Sequence, residues 1–329
     1  MQLNKEQQAA SLHKDGPALV LAGPGSGKTA LLSRRIQNLL IHYHIPASQI
    51  LVISFTRAAS QETAQRFRQI HPEPAPVHFG TIHAVFYHIL RISRPQLAWF
   101  VVPPHETEER FSQREEALSF EEILEKCLLL FQSEPEVLAQ WQDRFRYLMV
   151  DEFQDTSPLQ WRLIQMLAGP RANIFAVGDE DQSIYAFRGA DSGLMLRYPR
   201  EYPQAVLYRL TACYRFGPEI LRAARSLIRH NRKRYAKKLK GLGSSGPKPV
   251  LKLFASPQEE LKGMLKEVLE IRKQEPMSQT AVLLRSNYGL SLVKEAFRKA
   301  GLESESEKNQ KPGGLWLMTM HGAKGLEFD

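Results

Sequence analysis

Residues 22–29 read Ala22-Gly23-Pro24-Gly25-Ser26-Gly27-Lys28-Thr29. Successive backbone N–H groups can turn inward around an anion only where the chain tolerates unusual φ values, which calls for the glycines Gly23, Gly25 and Gly27. The apolar run 19–21 before the loop reads as a buried strand, and Ala30-Leu31-Leu32 opens a helix after it. Strand, loop and helix in that order are the setting of a phosphate-binding P-loop, with the helix dipole adding positive charge. Lys28 is then placed to reach the β- and γ-phosphates of ATP, and Thr29 to offer its hydroxyl to Mg²⁺. Ala22 stands where the pattern has its first glycine. A second polar pair is set in the same way. Tyr147–Val150 is an apolar strand pattern, and Asp151-Glu152 follows directly. At a strand end Asp151 can hold Mg²⁺, and Glu152 can orient and deprotonate an attacking water.

Such residues need strands and helices to position them, and the chain alternates between the two. Short apolar runs at Ala18–Ala22, 50–55, 77–81, Tyr147–Val150 and 173–178 predict one set of strands. A second set lies at 205–210, 250–254, Thr280–Leu284 and Leu315–Thr319. Helical patterns fill most of the intervals. Strand-helix alternation predicts an α/β fold with mainly parallel sheets, whose ligands sit in the loops at the carboxyl strand ends. The stretch 89–141 breaks the rhythm with charge, helix formers and prolines, including Pro103 and Pro104, and reads as a small helical insertion. Pro199 and Pro203 mark an expected hinge or linker.

At 329 residues the chain exceeds what one core usually serves, so two domains are expected. No run reaches membrane-spanning length, and Cys127 and Cys213 are too few and too far apart for a disulfide framework, so a cytoplasmic chain is expected. The formal charge of +9 favours a polyanionic partner. Seven Lys or Arg fall within 229–240, either a phosphate contact or a solvated helix end.

The loop 22–29 and the run Asp151-Glu152-Phe153-Gln154-Asp155-Thr156 resemble the first two motifs of UvrD/Rep/PcrA-type superfamily 1 DNA helicases. Other segments agree in order. Leu3-Asn4-Lys5-Glu6-Gln7 resembles the N-terminal glutamine motif, and Phe55-Thr56-Arg57 and Gly80-Thr81-Ile82-His83 resemble two strand-end motifs that touch DNA. The run 177–185 (VGDEDQSIY) with Phe187-Arg188-Gly189, then Tyr214-Arg215, residues 281–287 and 319–328 (TMHGAKGLEF), complete the series.

The resemblance implies two RecA-like P-loop domains: the first at 1–88 and 142–203, interrupted by the insertion 89–141, and the second at 204–329. It implies an ATP-dependent single-stranded DNA translocase or 3′–5′ helicase motor core, working on single strands and on single-strand/duplex junctions. Gln7 would read adenine, Tyr214 would stack on it, and Glu327 would contact the ribose. Arg35 is placed like the family arginine near the nucleotide. Gln182 would sense the γ-phosphate, and Arg215 would act as an arginine finger from the second domain. Phe55, Thr56, Thr81, His83, Tyr185, Phe187, Arg188, Thr319 and His321 would meet DNA, the aromatics by stacking. Phe187 stands where many relatives have tryptophan.

The sequence departs from the family in three places. The insertion between His83 and Asp151 is short, and there is no room between Phe297 and Trp316 for a large helical domain. The sixth motif is not met before Asp329, so the second domain is expected to be incomplete at its C-terminus, completed by a further segment or another protein. A nucleotide-dependent DNA-binding module and an inactive helicase fragment stay open as other readings.

Overall fold

The computed structural model describes residues 3–97, 99–102, 117–305 and 313–328. Two compact units divide the chain, Met1–Pro247 and Lys248–Asp329. The first opens with helix α1 (Lys5–Ser11), strand β1 (Ala18–Ala22), helix α2 (Lys28–Ile41) and strand β2 (Ile50–Ser54). Helix α3 (Arg57–Ile70), strand β3 (His78–Thr81) and helix α4 (Ile82–Ser93) follow. Then come the short strands β4 (Phe100–Val101) and β5 (Ala117–Leu118), helices α5 (Phe120–Ser133) and α6 (Pro135–Arg144), and strand β6 (Tyr147–Val150). Helix α7 (Pro158–Ala168), strand β7 (Ile174–Gly178), helix α8 (Gly193–Glu201) and strand β8 (Val206–Leu210) complete the main sheet. The short strands β9 (Ala212–Cys213) and β10 (Lys240–Gly241) flank helix α9 (Pro218–Ile228).

The main sheet has the order β3-β2-β6-β7-β1-β8, and every neighbouring pair is parallel. All its carboxyl ends therefore lie along one edge. Strands β1, β2, β6 and β7 are buried at every position, as apolar runs in a sheet covered on both faces must be. The period of two splits each strand between two cores. Leu19 and Leu21 join one, with Phe86, Leu124, Phe131 and Leu163, while Ala18, Val20 and Ala22 join the other, with Leu31, Ile36 and Phe67.

Two expectations meet a different outcome, and one strand pairs outside its expected group. The run 205–210, grouped with the second domain, forms β8 and pairs with β1 from Ala18↔Val206 to Ala22↔Leu210. Residues 204–247 accordingly fall in the first unit. The expected hinge around Pro199 continues helix α8 instead, pinned by the fully buried Tyr198, whose hydroxyl donates to Ile174 O at 2.8 Å. Residues 250–254 form no strand, and Leu251 is 85% exposed. The insertion is helical as expected. Ser119 caps α5 through a reciprocal box with Glu122, and Phe131 and Cys127 of α5 pack into the core shared with Phe86. Pro103 and Pro104 lie outside the described residues.

The second unit is one right-sized βαβ piece. Helix α10 (Pro257–Gln274) precedes strand β11 (Thr280–Leu284), helix α11 (Asn287–Lys299) and strand β12 (Leu315–Thr319). β11 and β12 pair in parallel, and Val268, Val293, Phe297, Leu315 and Leu317 share a small core. Among the described residues no helix is long and apolar enough to cross a membrane.

Phe86 is fully buried and joins the insertion to the sheet, its ring edge-on to Phe131. Phe86→Ala is expected to destabilise the first unit by about 3–5 kcal/mol, because the emptied volume cannot fully collapse. A urea unfolding midpoint unchanged from the parent chain would refute that placement.

Candidate active site

The loop between β1 and α2 has the shape its glycines permit. Gly25 and Gly27 take φ values of 62° and 78°. A Cβ on Gly25 would lie 2.4 Å from Arg215 Cβ, and one on Gly27 would lie 2.6 Å from Gln7 Nε2. Glycine is thus required both for φ and for space. Lys28 is the first residue of α2, which Gly27 caps without a side chain. The helix N-terminus therefore keeps unpaired donors directed at the loop. Ser26 Oγ is buried with no hydrogen-bond partner among the described residues. An orphaned hydroxyl, unspent helix donors and an ammonium group fit a polyphosphate.

Lys28 Nζ lies 2.5 Å from Glu152 Oε1. Burial acts to lower the Lys28 ammonium, but Glu152, Asp151 and Asp179 together hold it above its ordinary value. Burial, and next the neighbouring Glu152, push Asp151 up to about 7. A buried carboxylate raised by a like charge beside it favours a bound cation. Asp151 and the half-buried Thr29 supply the oxygen donors that Mg²⁺ prefers. Glu152 has a left-handed backbone, φ 51°, which costs a non-glycine residue about 1–2 kcal/mol. It is held there because its N–H donates to Asp151 Oδ1 at 2.9 Å while its carboxylate takes Lys28 and Gln154. Strain kept in this way is a common mark of a functional position.

Gln154, fully buried, extends the network to the end of β7. It donates to Glu152 Oε2 and accepts from Asp179 N at 3.0 Å. Asp179 Oδ2 accepts from Gln182 Nε2 at 2.6 Å, and Asp179 Oδ1 accepts from Lys237. Lys237 also meets Glu180 at 2.8 Å and Asp181 at 3.1 Å, and Arg234 Nε donates to Asp181 at 2.8 Å. The basic block 229–240 is therefore split. Arg234 and Lys237 turn inward onto the carboxylates after β7, while Arg229, Arg232, Lys233 and Lys238 stay exposed. A 920 Å³ cavity opens beside them, bordered by Pro24, Gln182, Arg225 and Leu239.

The residues expected around the base gather at the loop. Gln7 Nε2 donates to Ser26 O at 2.8 Å, Tyr214 N donates to Gly25 O at 2.9 Å, and Asn4 Nδ2 donates to Tyr214 Oη at 2.8 Å. Asn4 and Gln7 form a reciprocal capping box at the start of α1. Tyr214 and Arg215 fall within the compact unit Met1–Pro247, on the segment that follows β8. Arg35 is a correction. Its guanidinium is not at the loop but lies 4.2 Å over the Phe175 ring in the core, and it donates to Lys14 O at 3.3 Å. Phe175 pairs with Ala18, at the end of β1 remote from the loop, and more than one helical turn separates Arg35 from Thr29. Burial lowers its guanidinium to about 9.

The residues expected to meet DNA fall at the neighbouring strand ends. Phe55, after β2, stacks on Tyr185 with ring centroids 4.8 Å apart, and Tyr185 lies 6.1 Å from Phe187, which is 72% exposed. Arg188 lies over the Tyr185 ring at 5.8 Å. Thr56 and Thr81 cap α3 and α4, accepting from Ala59 N and Ala84 N. His83 stacks on Phe120 at 4.7 Å, and burial, then Arg188, lower it below its ordinary value. Thr319, His321 and Glu327 are on the second unit, where Thr319 Oγ1 accepts from Gly322 N at 3.1 Å.

Asn4, Gln154, Asp179, Arg234 and Lys237 stand within segments legible in the sequence, but the sequence assigns none of them an individual role. The capping-box spacing of Asn4 and Gln7 was a readable signal; the inward turn of Lys237 had none.

A parallel sheet with a glycine loop after β1, an acidic pair after β6 and a polar loop after β7 defines a P-loop nucleotide-binding protein. Family models narrow the class: the UvrD/REP helicase N-terminal domain matches residues 3–100 and 101–203, and the UvrD-like helicase C-terminal domain matches 208–311. The chain belongs to the UvrD/REP helicase family. It is 30% identical to the putative ATP-dependent DNA helicase YjcD of Bacillus subtilis, over 93% of this chain and 49% of that protein. It is 28% identical to the ATP-dependent DNA helicase PcrA of Staphylococcus epidermidis, over 94% of this chain and 51% of that protein. Staphylococcus aureus PcrA is 27% identical over the same shares. The chain thus spans about half the length of the curated relatives it matches.

Arg35→Met is expected to leave nucleotide affinity unchanged, since the guanidinium packs on Phe175 rather than on the loop. Titration with a fluorescent ATP analogue checks this; a clear loss of affinity would return Arg35 to the nucleotide.

Proposed function

We propose that this chain is the motor portion of an ATP-dependent DNA translocase or helicase that tracks single-stranded DNA in the 3′–5′ direction. The observation that carries the reading is the Lys28–Glu152 pair at 2.5 Å inside a glycine-shaped loop, beside an aromatic ledge on the same sheet edge. The polarity rests on family resemblance.

In this reading the backbone donors of 23–28 and the Lys28 ammonium hold the β- and γ-phosphates of ATP. Gln7 and Tyr214, already fastened to the loop at Ser26 and Gly25, hold the base. Asp151 and Thr29 would hold Mg²⁺, which would neutralise charge developing on the phosphates. Lys28 exchanges Glu152 for phosphate, and Glu152, released, orients and deprotonates the attacking water. Arg215, whose backbone lies against Gly25, stabilises negative charge on the γ-phosphate. Gln182 reports the γ-phosphate to the ledge three to five residues on, where Tyr185 and Phe187 offer faces to bases and Arg188 meets phosphate.

The deciding measurement is ATP turnover with and without single-stranded DNA. Stimulation by DNA supports a coupled motor; nucleotide-dependent DNA binding without turnover supports a binding module instead. Glu152→Gln is expected to keep ATP affinity while slowing turnover about 10²–10⁴-fold. Retained turnover would remove Glu152 as the base. Replacing Tyr185 and Phe187 by alanine is expected to weaken oligo-dT binding by about 1–3 kcal/mol per lost stack. An unaltered fluorescence-anisotropy isotherm would assign both rings to packing alone.

A further inference from the structure

Asp179 is 1% exposed and is held from two sides. One carboxylate oxygen accepts from Lys237 and from Asp181 N, and the other accepts from the Gln182 amide at 2.6 Å. The Lys237 side chain is only 5% exposed and also meets Glu180 and Asp181, while Arg234 grips Asp181 through both of its oxygens. Three carboxylates thus face two cations, with the Gln182 amide, Asp181 N and Tyr235 N as further donors. A buried carboxylate is costly unless its hydrogen bonds are satisfied. If Lys237 were absent, Asp179 would keep only two neutral donors, the Asp181 N–H and the Gln182 amide, and would hold Gln182 more firmly. With Lys237 present, Gln182 can leave Asp179 for another acceptor, and the carboxylate stays paired.

We propose that Lys237 is a positioning residue that frees Gln182 to exchange Asp179 for the γ-phosphate, and so sets how strongly the site prefers ATP to ADP. The proposal rests on the nucleotide reading above. It also makes the segment after α9 a sensor of the same event, since Lys237 and Arg234 tie that segment to the loop carrying Gln182.

The test measures dissociation constants of the full chain for ADP and for the non-hydrolysable analogue AMPPNP, by calorimetry, in a double-mutant cycle. Lys237→Met is expected to lower the preference for AMPPNP over ADP by about fivefold or more, within the usual range of coupling between sites. In a Gln182→Ala background the same substitution is expected to change the preference no further, and Lys237→Arg is expected to restore part of it. A purely structural lysine would not give that pattern. An unchanged preference in Lys237→Met, or an equal loss in the Gln182→Ala background, would overturn the proposal. Should Lys237→Met not fold, Lys237→Gln, which keeps a donor for Asp179, carries the same cycle with a smaller expected loss and the same criterion. A parent chain that binds neither nucleotide would instead overturn the nucleotide reading, and this inference with it.

Discussion

Strands buried on both faces leave polar chemistry to the loops at their ends. In the first unit β1, β2, β6 and β7 are buried at every position and run parallel. Their carboxyl ends must therefore share one edge, and the polar groups that follow β1, β6 and β7 emerge there. Lys28 follows β1, Asp151 and Glu152 follow β6, and Asp179 and Gln182 follow β7. The order β6-β7-β1 places these ends side by side. The chemistry of the site is a consequence of that ladder.

What joins these ends is a chain of complementary partners rather than a single contact. Lys28 meets Glu152, Glu152 meets Gln154, Gln154 meets Asp179, and Asp179 meets both Gln182 and Lys237. In a partly buried setting such a chain cannot lose one member cheaply, because the neighbour is left with an unpaired charge or dipole. A ligand that replaces one partner therefore shifts the others. The left-handed backbone of Glu152 belongs to the same arrangement: its conformation is held by the bonds that a bound polyphosphate would compete for.

Burial separates two arginines that look alike along the chain. Arg215 has its Cβ beside Gly25, whereas Arg35 is 2% exposed and lies over the Phe175 ring. Both are near the loop in sequence-family terms, yet the turn of α2 points Arg35 into the second core, where Leu31, Ile36 and Leu39 also sit. Lys28 and Arg35 share a face of α2, seven residues apart, so it is the rise of about 10 Å along the helix and the packing on Phe175 that keep the guanidinium from the phosphate loop.

The sequence alone determined the local chemistry. Glycines at 23, 25 and 27 between an apolar strand and a helix specify a phosphate loop, because φ and the helix dipole are properties of neighbours in the chain. Apolar runs ending in Asp151 or Gly178 specify buried parallel strands for the same reason, and most of the main-sheet strands appear where that pattern puts them. Tertiary structure decided what the pattern could not. It placed 205–210 beside β1, because backbone pairing carries no label of domain. It left 250–254 without a ladder, because a strand needs a partner at hand as well as a suitable composition. It turned Lys237 inward onto Asp179, 58 residues away, and left Lys238 in solvent. Adjacent lysines are equivalent to any local rule, and only the position of a distant buried carboxylate distinguishes them.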